Sequence, residues 1–593
     1  MIDDASEPAA LIDAAAGGFV VQHNSGNLIQ GQTVTVYQAL EAERRLPCSP
    51  IPASDLQRAL YRYAPPPQFD AAAELLERTA GLVLAAEAGS GARTTALHLL
   101  AGLRDVAVHE LEPDGDPRGQ VDRLLSERAH AHLIELDTGA DAGWHRFCRE
   151  VLGRTAELRA QGSYFVATTS SSTWWAAPDA GLPVVRLDRP GARGVAVVHL
   201  RRADRVPWLD VPVVAGHLGE HTRPRDAARL ATLIADAPDP EAAVQEFEGW
   251  RDHLRAWFEG GDGGPGHEDV TERALLVAAA VLNGFPQARV WDGANRLLRQ
   301  LGAADEGPIP LSGPGLRTRV ETLDARLAGA AVRLDWRRRS LDRAVLDYVW
   351  DEYPHMRREL LAWILVLPSD EPGRERLAAV VSGLAGRQED TAFLAELVRA
   401  PRRLIAEVLN RSGRDPQIGR AVRRRLYEWA TAAGTPPALA AGVADACGGE
   451  LGRRYPRIAL TRLRHLARHP DEAVTAATVR ALSDLARAPG LPGLRGLVLE
   501  EIADWLRSAD AQRRRTADLA VAAWLDAGDG APLSEATIAV LGSAATHDRA
   551  AAAALFRTVR AWADRAADGE ARRDRVAAMD ALYEHVLQEE RAW

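Results

Sequence analysis

Five short apolar runs alternate with stretches of helical periodicity in the first third of this chain, and this alternation restricts the possible folds more than any other feature. The runs cover 81–86, 105–111, 131–137, 164–169 and 183–187, and helices are expected over 94–103, 118–130 and 142–161. Strands that alternate with helices typically form a parallel sheet with helices on both faces. The sequence therefore predicts an α/β domain over residues 68–204.

The first predicted strand leads into a glycine turn and then a helix, and this segment resembles a P-loop. Its pattern is G-x-x-x-x-G-K-[ST], and Gly89 and Gly91 fit it. Ala86 stands at the first glycine, Ala92 at the lysine and Arg93 at the hydroxyl that binds magnesium. The 593 residues contain no lysine, so all 72 basic residues are arginine and no lysine elsewhere can substitute.

The loop keeps the groups that bind phosphate through the backbone. The N–H groups at a helix N-terminus favour anions, so the candidate binding residues are Gly89, Ser90 and Gly91. If the loop holds one extra residue, Arg93 stands at the lysine position. Thr94 then stands at the hydroxyl position, and Thr95 after it is a further candidate for binding the cofactor.

Two further features follow in the order found in P-loop NTPases. The apolar strand 132–137 resembles a Walker B strand, which makes Asp137 the candidate magnesium ligand, although Thr138 replaces the usual catalytic glutamate. The strand 164–169 ends in hydroxyl residues, and the polar sensor that AAA+ and STAND ATPases carry there would be Thr168, Thr169 or Ser170, of which we take Thr169 as the candidate.

The remainder of the chain is predicted to be helical. We expect a helical lid over 205–266, a winged-helix-like segment over 267–340 and an α-helical repeat domain of HEAT-like character over 341–593. Helices separated by Pro, Gly or Asp recur throughout the last part, as in stacked helix pairs. Residues 46–67 are assigned to a linker with a short helix.

From Leu82 onwards the chain resembles STAND-type NTPases, in which a switch NTPase precedes a winged helix and a helical repeat region. The resemblance implies ATP or ADP with Mg²⁺ as cofactor, protein partners for the repeats, and a role in bacterial conflict or signalling systems. The departures in the loop and after Asp137 predict a degenerate module that does not hydrolyse ATP. Two alternatives remain open: an ATPase switch using Arg93, Thr94 and Asp137, and a winged-helix DNA-binding regulator.

Residues 1–45 contain a β-type segment at 17–38 with Asn, Ser and Gly between two β-favouring runs. It loosely resembles RHIM-like amyloid-type signalling motifs, which implies assembly by strand pairing with another chain. An ordinary hairpin packed on the next domain is the alternative.

Charge and composition exclude several classes of protein. The net charge of −10 argues against nucleic acid as a partner, although Arg289, Arg296 and Arg299 lie on one predicted helix of the winged-helix-like segment. There is no apolar run of membrane-spanning length. Three widely separated cysteines fit a reducing cytoplasm, and the richness in Ala, Arg and Gly indicates a GC-rich genome such as that of an actinomycete.

Overall fold

The computed structural model describes residues 48–51, 53–103, 105–112, 117, 120–136, 142–170, 182–260, 270–303, 315–323, 325–334, 337–388, 392–415, 418–489, 492–526, 534–546, 548–565 and 569–591. The β-type segment at 17–38 and the candidate Asp137 therefore lie outside the described residues.

A six-stranded sheet organises the N-terminal part. Its strands are β1 (Cys48–Pro50), β2 (Gly81–Ala86), β3 (Ala107–Leu111), β4 (His130–Leu136), β5 (Tyr164–Thr169) and β6 (Val184–Leu187), in the spatial order β1-β3-β4-β5-β2-β6. Strands β2 to β6 are parallel, which confirms the predicted α/β sheet. β1 pairs antiparallel with β3 at the edge, inside the stretch that the sequence assigns to a linker. An edge position tolerates its proline, since Pro50 has no N–H to donate.

Helices cover both faces of the sheet. They are α1 (Ala53–Tyr61), α2 (Phe69–Thr79), α3 (Ala92–Ala101), α4 (Val121–Ser126), α5 (Ala142–Gly153), α6 (Thr155–Ala160) and α7 (Ala192–His199). The inner strand β2, between β5 and the edge strand β6, is fully buried. Its Leu82 and Leu84 lie in the core beneath α2 and α3, and its Val83 and Ala85 lie in the core beneath α4 and α5. A strand buried on both faces explains the continuous apolar run at 81–86.

Residues 201–340 connect the sheet to the helical region. They contain a 3₁₀ helix (Ala203–Asp210), α8 (Pro212–Ala215), α9 (Pro224–Asp236), α10 (Pro240–Phe247), α11 (Arg251–Arg255), a π-helical turn (Ala256–Gly260), α12 (Val270–Val281), α13 (Gln287–Gln300) and α14 (Leu316–Thr322). A hairpin of β7 (Arg326–Ala328) and β8 (Ala331–Arg333) follows. We use "lid" below for 201–260.

Residues 341–591 form the helical array. It begins with α15 (Leu341–Glu352), a 3₁₀ turn (Pro354–Met356), α16 (Arg357–Leu365), α17 (Glu371–Gln388) and a 3₁₀ helix (Ala392–Arg399). It continues with α18 (Arg402–Gly413), α19 (Gly419–Thr431), α20 (Pro437–Gly448), α21 (Glu450–Arg454), α22 (Pro456–Leu466), α23 (Glu472–Ala486), α24 (Pro492–Leu506), α25 (Ala511–Asp526), α26 (Glu535–Ala545), α27 (Arg549–Asp564) and α28 (Gly569–Arg591).

The array from α18 onwards is a two-layer stack. Helices α18, α20, α23, α25 and α27 pack one on the next, and α19, α22, α24, α26 and α28 do the same in the second layer. The first three helices of the first layer start at residues 402, 437 and 472, which are 35 residues apart. The stack is therefore built from repeated helix pairs, as the sequence predicts, with a period that its divergent residues conceal.

The second layer of the array returns to the sheet. Helix α22 packs on β1, and Arg454 at the end of α21 forms an ion pair with Asp55 in α1. Within the described ranges, no helix combines the length and the apolarity needed to cross a bilayer.

Candidate functional site

The glycine loop between β2 and α3 has a backbone conformation that its glycines make accessible. Gly89 and Gly91 have φ of +75° and +94°, in the left-handed region that favours glycine. The N–H of Ser90 donates to the carbonyl of Glu87 at 3.1 Å, which closes a tight turn. Helix α3 begins at Ala92, so the loop lies at a helix N-terminus beside the carboxyl end of a parallel strand. Both features favour an anion.

Ser90 lies in this loop with an unusual polar atom. Ser90 is only 5% exposed, and its Oγ has no hydrogen-bond partner among the described residues. A buried hydroxyl without a partner carries a desolvation cost of ~1–3 kcal/mol. A ligand or a water in the loop would remove this cost.

Arg93, at the hydroxyl position of the motif, is engaged with carboxylates of the neighbouring strands. Its Nη1 and Nη2 donate to the two oxygens of Glu110 on β3 at 2.6 and 3.0 Å, and Nη1 also pairs with Glu135 on β4. Burial lowers the pKa of Arg93, but Glu110 and Glu135 outweigh this effect and hold it well above its usual range. The bidentate geometry fixes the guanidinium in this position.

The other predicted residues are divided between the loop and its surroundings. Thr94 is exposed on the first turn of α3, whereas Thr95 is buried and its Oγ1 accepts from the hydroxyl of Tyr63 at 3.2 Å. Thr169 ends β5 and is aligned with Ala85 of β2, one residue before the end of that strand. The structure thus brings Thr169 to the same edge of the sheet as the loop, while Thr95 faces the core.

The lid covers the glycine loop. A Cβ placed on Gly89 would lie 3.4 Å from Cδ and 3.9 Å from Cζ of Arg223, and one on Gly91 would lie 4.0 Å from Cγ of Pro224. These two residues begin α9. Arg189 holds the same turn, because its Nη2 pairs with Glu87 at 2.9 Å and its Nη1 donates to the carbonyl of His221 at 2.8 Å.

A buried ion network joins this edge of the sheet to the array. Arg423 of α19 donates from Nε to Oε1 of Glu112 at 2.6 Å and from Nη1 to the carbonyl of Gly413 at 3.0 Å. Its Nη2 lies 3.8 Å from Glu110, the partner of Arg93. The side chains of Arg423 and Glu112 are 4% and 1% exposed.

A cation–π contact and a hydrogen bond to its backbone carbonyl hold Arg423 in place. Its Cζ lies 4.2 Å from the centre of the Tyr455 ring, a distance typical of a cation–π interaction. The buried Arg462 of α22 donates to the carbonyl of Arg423 at 2.9 Å. The network therefore continues from α3 through β3 into both α19 and α22.

Sequence reasoning did not identify Glu110, Glu112, Arg223 or Arg423 as site residues. Glu110 and Glu112 follow an apolar run at the carboxyl end of β3, and acidic residues at that edge were a usable signal. Arg423 lies 311 residues from Glu112 in the sequence, and no local pattern connects them.

The described residues at the usual P-loop magnesium position, Arg93 with Glu110 and Glu135, do not fit the ion. The position of the hydroxyl ligand holds a guanidinium, and its ion pairs occupy Glu110 and Glu135. A divalent cation would have to displace Arg93 from both carboxylates. The part of the chain that is described contains no group of three or more His, Cys, Asp or Glu residues arranged for a metal.

Helix α13 of the predicted winged-helix-like segment packs against the array. Arg289 pairs with Asp370 at 3.0 Å and donates to the carbonyl of Pro368 at 2.6 Å, and Trp363 of α16 donates to the carbonyl of Gly293 at 2.9 Å. Arg296 and Arg299 are exposed. The contacts of Arg289 and Gly293 are those of a helix that joins two parts of a chain.

The chain matches no family model and no curated protein. Among solved structures it is similar, with 10% identity and a TM-score of 0.21, to a Signal Transduction ATPase with Numerous Domains (STAND) protein with a tetratricopeptide repeat sensor from Pyrococcus horikoshii. The match covers 88% of this chain and 84% of that one. At this TM-score the similarity carries no argument about the fold or function of this chain.

Proposed function

We propose that this protein is a regulatory scaffold of a signalling or defence-type system, in which the helical array controls a P-loop-like domain that does not hydrolyse ATP. The observation that carries this proposal is the buried network in which Arg423 of the array shares Glu110 with Arg93 of the loop helix. A partner that moves α19 would change the charge balance next to the glycine loop.

The energetics of the network support a coupling role. Arg423, Glu110 and Glu112 are buried together at the junction, and the side chain of Arg93 beside them is 26% exposed. Removing one member of the buried Arg423–Glu112 pair leaves an uncompensated charge at a cost of about 3–5 kcal/mol. An interface of this kind is held in one geometry or broken, and intermediate positions are unfavourable. This is the property that a two-state element needs.

The lack of hydrolysis follows from the chemistry of the loop. Phosphoryl transfer in P-loop enzymes uses a lysine, a hydroxyl-bound Mg²⁺ and an oriented water. The chain has no lysine, and Arg93 at the hydroxyl position is committed to Glu110 and Glu135. Among the described residues, the ATPase-switch alternative therefore loses Arg93, which is paired with carboxylates instead of facing a phosphate.

The array is the proposed site for a protein partner. Stacked helix pairs form an extended surface in which each pair contacts its neighbours. Assembly through residues 17–38 is the proposed output, and it follows from the β-favouring sequence of that segment alone.

The test is whether a change in the array reaches the loop. Amide hydrogen exchange of the full chain should show faster exchange over β3 and α3 in Arg423→Ala than in the unaltered protein. Arg402→Ala is the matched control, because it breaks a bidentate ion pair with Asp445 inside the array. Equal exchange at α3 in both variants would contradict the proposal.

A further inference from the structure

The glycine loop combines three features that point to a bound anion. It lies at the N-terminus of the ten-residue helix α3, it contains the buried and unpartnered Oγ of Ser90, and the Arg223 side chain from the lid packs over Gly89. The backbone of such a loop cradles the phosphates of a nucleotide, and a guanidinium is suited to phosphate oxygens.

The position of Arg93 determines which cation can act there. In the usual arrangement, the residue at this position holds Mg²⁺ through a hydroxyl. Here the residue is itself a cation, and it is neutralised by Glu110 and Glu135 at distances that leave both carboxylates engaged. Arg93 therefore excludes Mg²⁺ from this position. Its guanidinium is paired with Glu110 and Glu135, so it does not take the place of the missing lysine.

We propose that the loop binds an anion with linked phosphates, such as the polyphosphate part of a nucleotide, without Mg²⁺, and that Arg223 of the lid supplies the cation that lysine supplies in an ordinary P-loop. Because Arg223 comes from the lid, the anion would hold the lid against the sheet. The site is then complete only when α9 lies over the loop, so phosphate binding and lid position are linked.

The proposed anion-binding groups are the loop and Arg223, and only the exclusion of Mg²⁺ involves Glu110, which also contacts Arg423 of the array. Failure of the anion-binding proposal would leave the hydrogen-exchange test of the array unaffected.

The experiment is calorimetry on the full chain with inorganic pyrophosphate, ADP and ATP. Each anion is titrated once in a buffer with excess EDTA, which removes trace divalent metal, and once in a buffer with Mg²⁺. We expect the apparent affinity in EDTA to equal or exceed that in Mg²⁺, because Mg²⁺ binds the free phosphates in solution and the loop offers the ion no ligand position. Binding of all three anions would indicate that the phosphates alone are recognised, and binding of ADP and ATP only would add recognition of the nucleoside. Both outcomes support the proposal.

Variants in α9 test the role of Arg223. Arg223→Ala should weaken binding by about tenfold or more, as expected for loss of a charge-assisted contact, and Arg223→Lys should recover most of it. The matched control is Arg225→Ala, two residues further along α9, where the side chain pairs with Asp226 at 3.8 Å. It should bind as the unaltered protein does.

Three results would overturn the proposal. They are an absence of binding by all three anions at millimolar concentration, binding that disappears in EDTA, and equal affinity of Arg223→Ala and Arg225→Ala. The comparison of EDTA with Mg²⁺ uses the unaltered chain, so it decides the question even if Arg223→Ala does not fold.

Discussion

Replacing Arg423 by methionine tests how strongly the array is held to the sheet. The substitution removes the partner of Glu112, whose side chain is 1% exposed, and the donor to the carbonyl of Gly413. Leaving a carboxylate buried without its partner costs about 3–5 kcal/mol. The local stability of the junction should fall by that amount, which corresponds to about two to four orders of magnitude in the opening equilibrium.

The assay is native-state hydrogen exchange of the slowest amides of β3, analysed as opening free energies. A global urea transition is unsuitable, because a chain of several domains does not unfold in two states. The partner variant Glu112→Leu leaves a buried guanidinium beside Glu110 and should also be destabilising. In the double variant both charges are gone, and replacing a buried pair by apolar groups is often close to neutral.

The sum of the losses in opening free energy in the two single variants should therefore exceed the loss in the double variant by at least ~2 kcal/mol. Arg402→Met within the array serves as the control for loss of an ion pair away from β3. Additivity of the Arg423 and Glu112 substitutions to within ~0.5 kcal/mol would refute the reasoning, since it would mean that the pair does not hold the junction together.

Three further predictions concern other positions. Gly442→Ala should lower the opening free energy of α18 and α20, measured by native-state hydrogen exchange, by ~1–3 kcal/mol through overpacking, because its Cβ would lie 2.5 Å from Cγ2 of Ile405. Gly383→Ala, with open space at the same atom, should leave the exchange of these helices unchanged, and equal effects of the two substitutions would refute this packing. Burial raises the pKa of Glu110, but Arg93 and Arg423 outweigh it and lower the pKa to about 2; the stability that this carboxylate contributes is present above its ordinary pKa of ~4.3 and is lost as pH falls towards 2. Protection of the β3 amides, corrected for the pH dependence of the intrinsic exchange rate, should then fall over this range in the unaltered protein and change less in Glu110→Gln, and parallel profiles would contradict the assignment. Burial, followed by the charge of Glu127, raises the pKa of Cys48 to about 11, so the stability from its neutral thiol is present below ~8.5 and is lost as pH rises towards 11. Mass spectrometry should find Cys48 unalkylated by iodoacetamide at pH 8 in the folded chain and alkylated after denaturation, and rapid labelling of the folded protein would rule out this environment.

The bounds of two inner strands of the sheet could be predicted from the sequence. The predicted bounds 81–86 and 164–169 coincide with β2 and β5, because a strand buried on both faces gives a continuous apolar run. The predicted bounds of the helices were less accurate. The predicted helix 118–130 is limited to Val121–Ser126, and the chain then turns into β4 through Ala129, which has a φ of +54°.

The candidate site was predictable only in its local part. The glycines and the N-terminus of α3 lie within a few residues and form a recognisable pattern. The partners of Arg93 lie 17 and 42 residues away, on strands whose adjacency depends on the sheet order. The sequence therefore located the loop but indicated neither that Arg93 is neutralised nor that the lid provides another arginine.

The 35-residue stacking of the array has a mechanical consequence. Each helix pair is supported mainly by the pairs on either side, so the stability of the stack is close to a sum of local terms. Two neighbouring helices of the second layer, α19 and α22, have an additional attachment. Arg423 of α19 is ion-paired at the end of β3, and α22 packs on β1. A force applied at the C-terminal end should accordingly peel helix pairs off one after another from α28 inwards. Unfolding should pause when it reaches α22 and α19, because the ion-paired attachment to the sheet must break before the remaining helices are released.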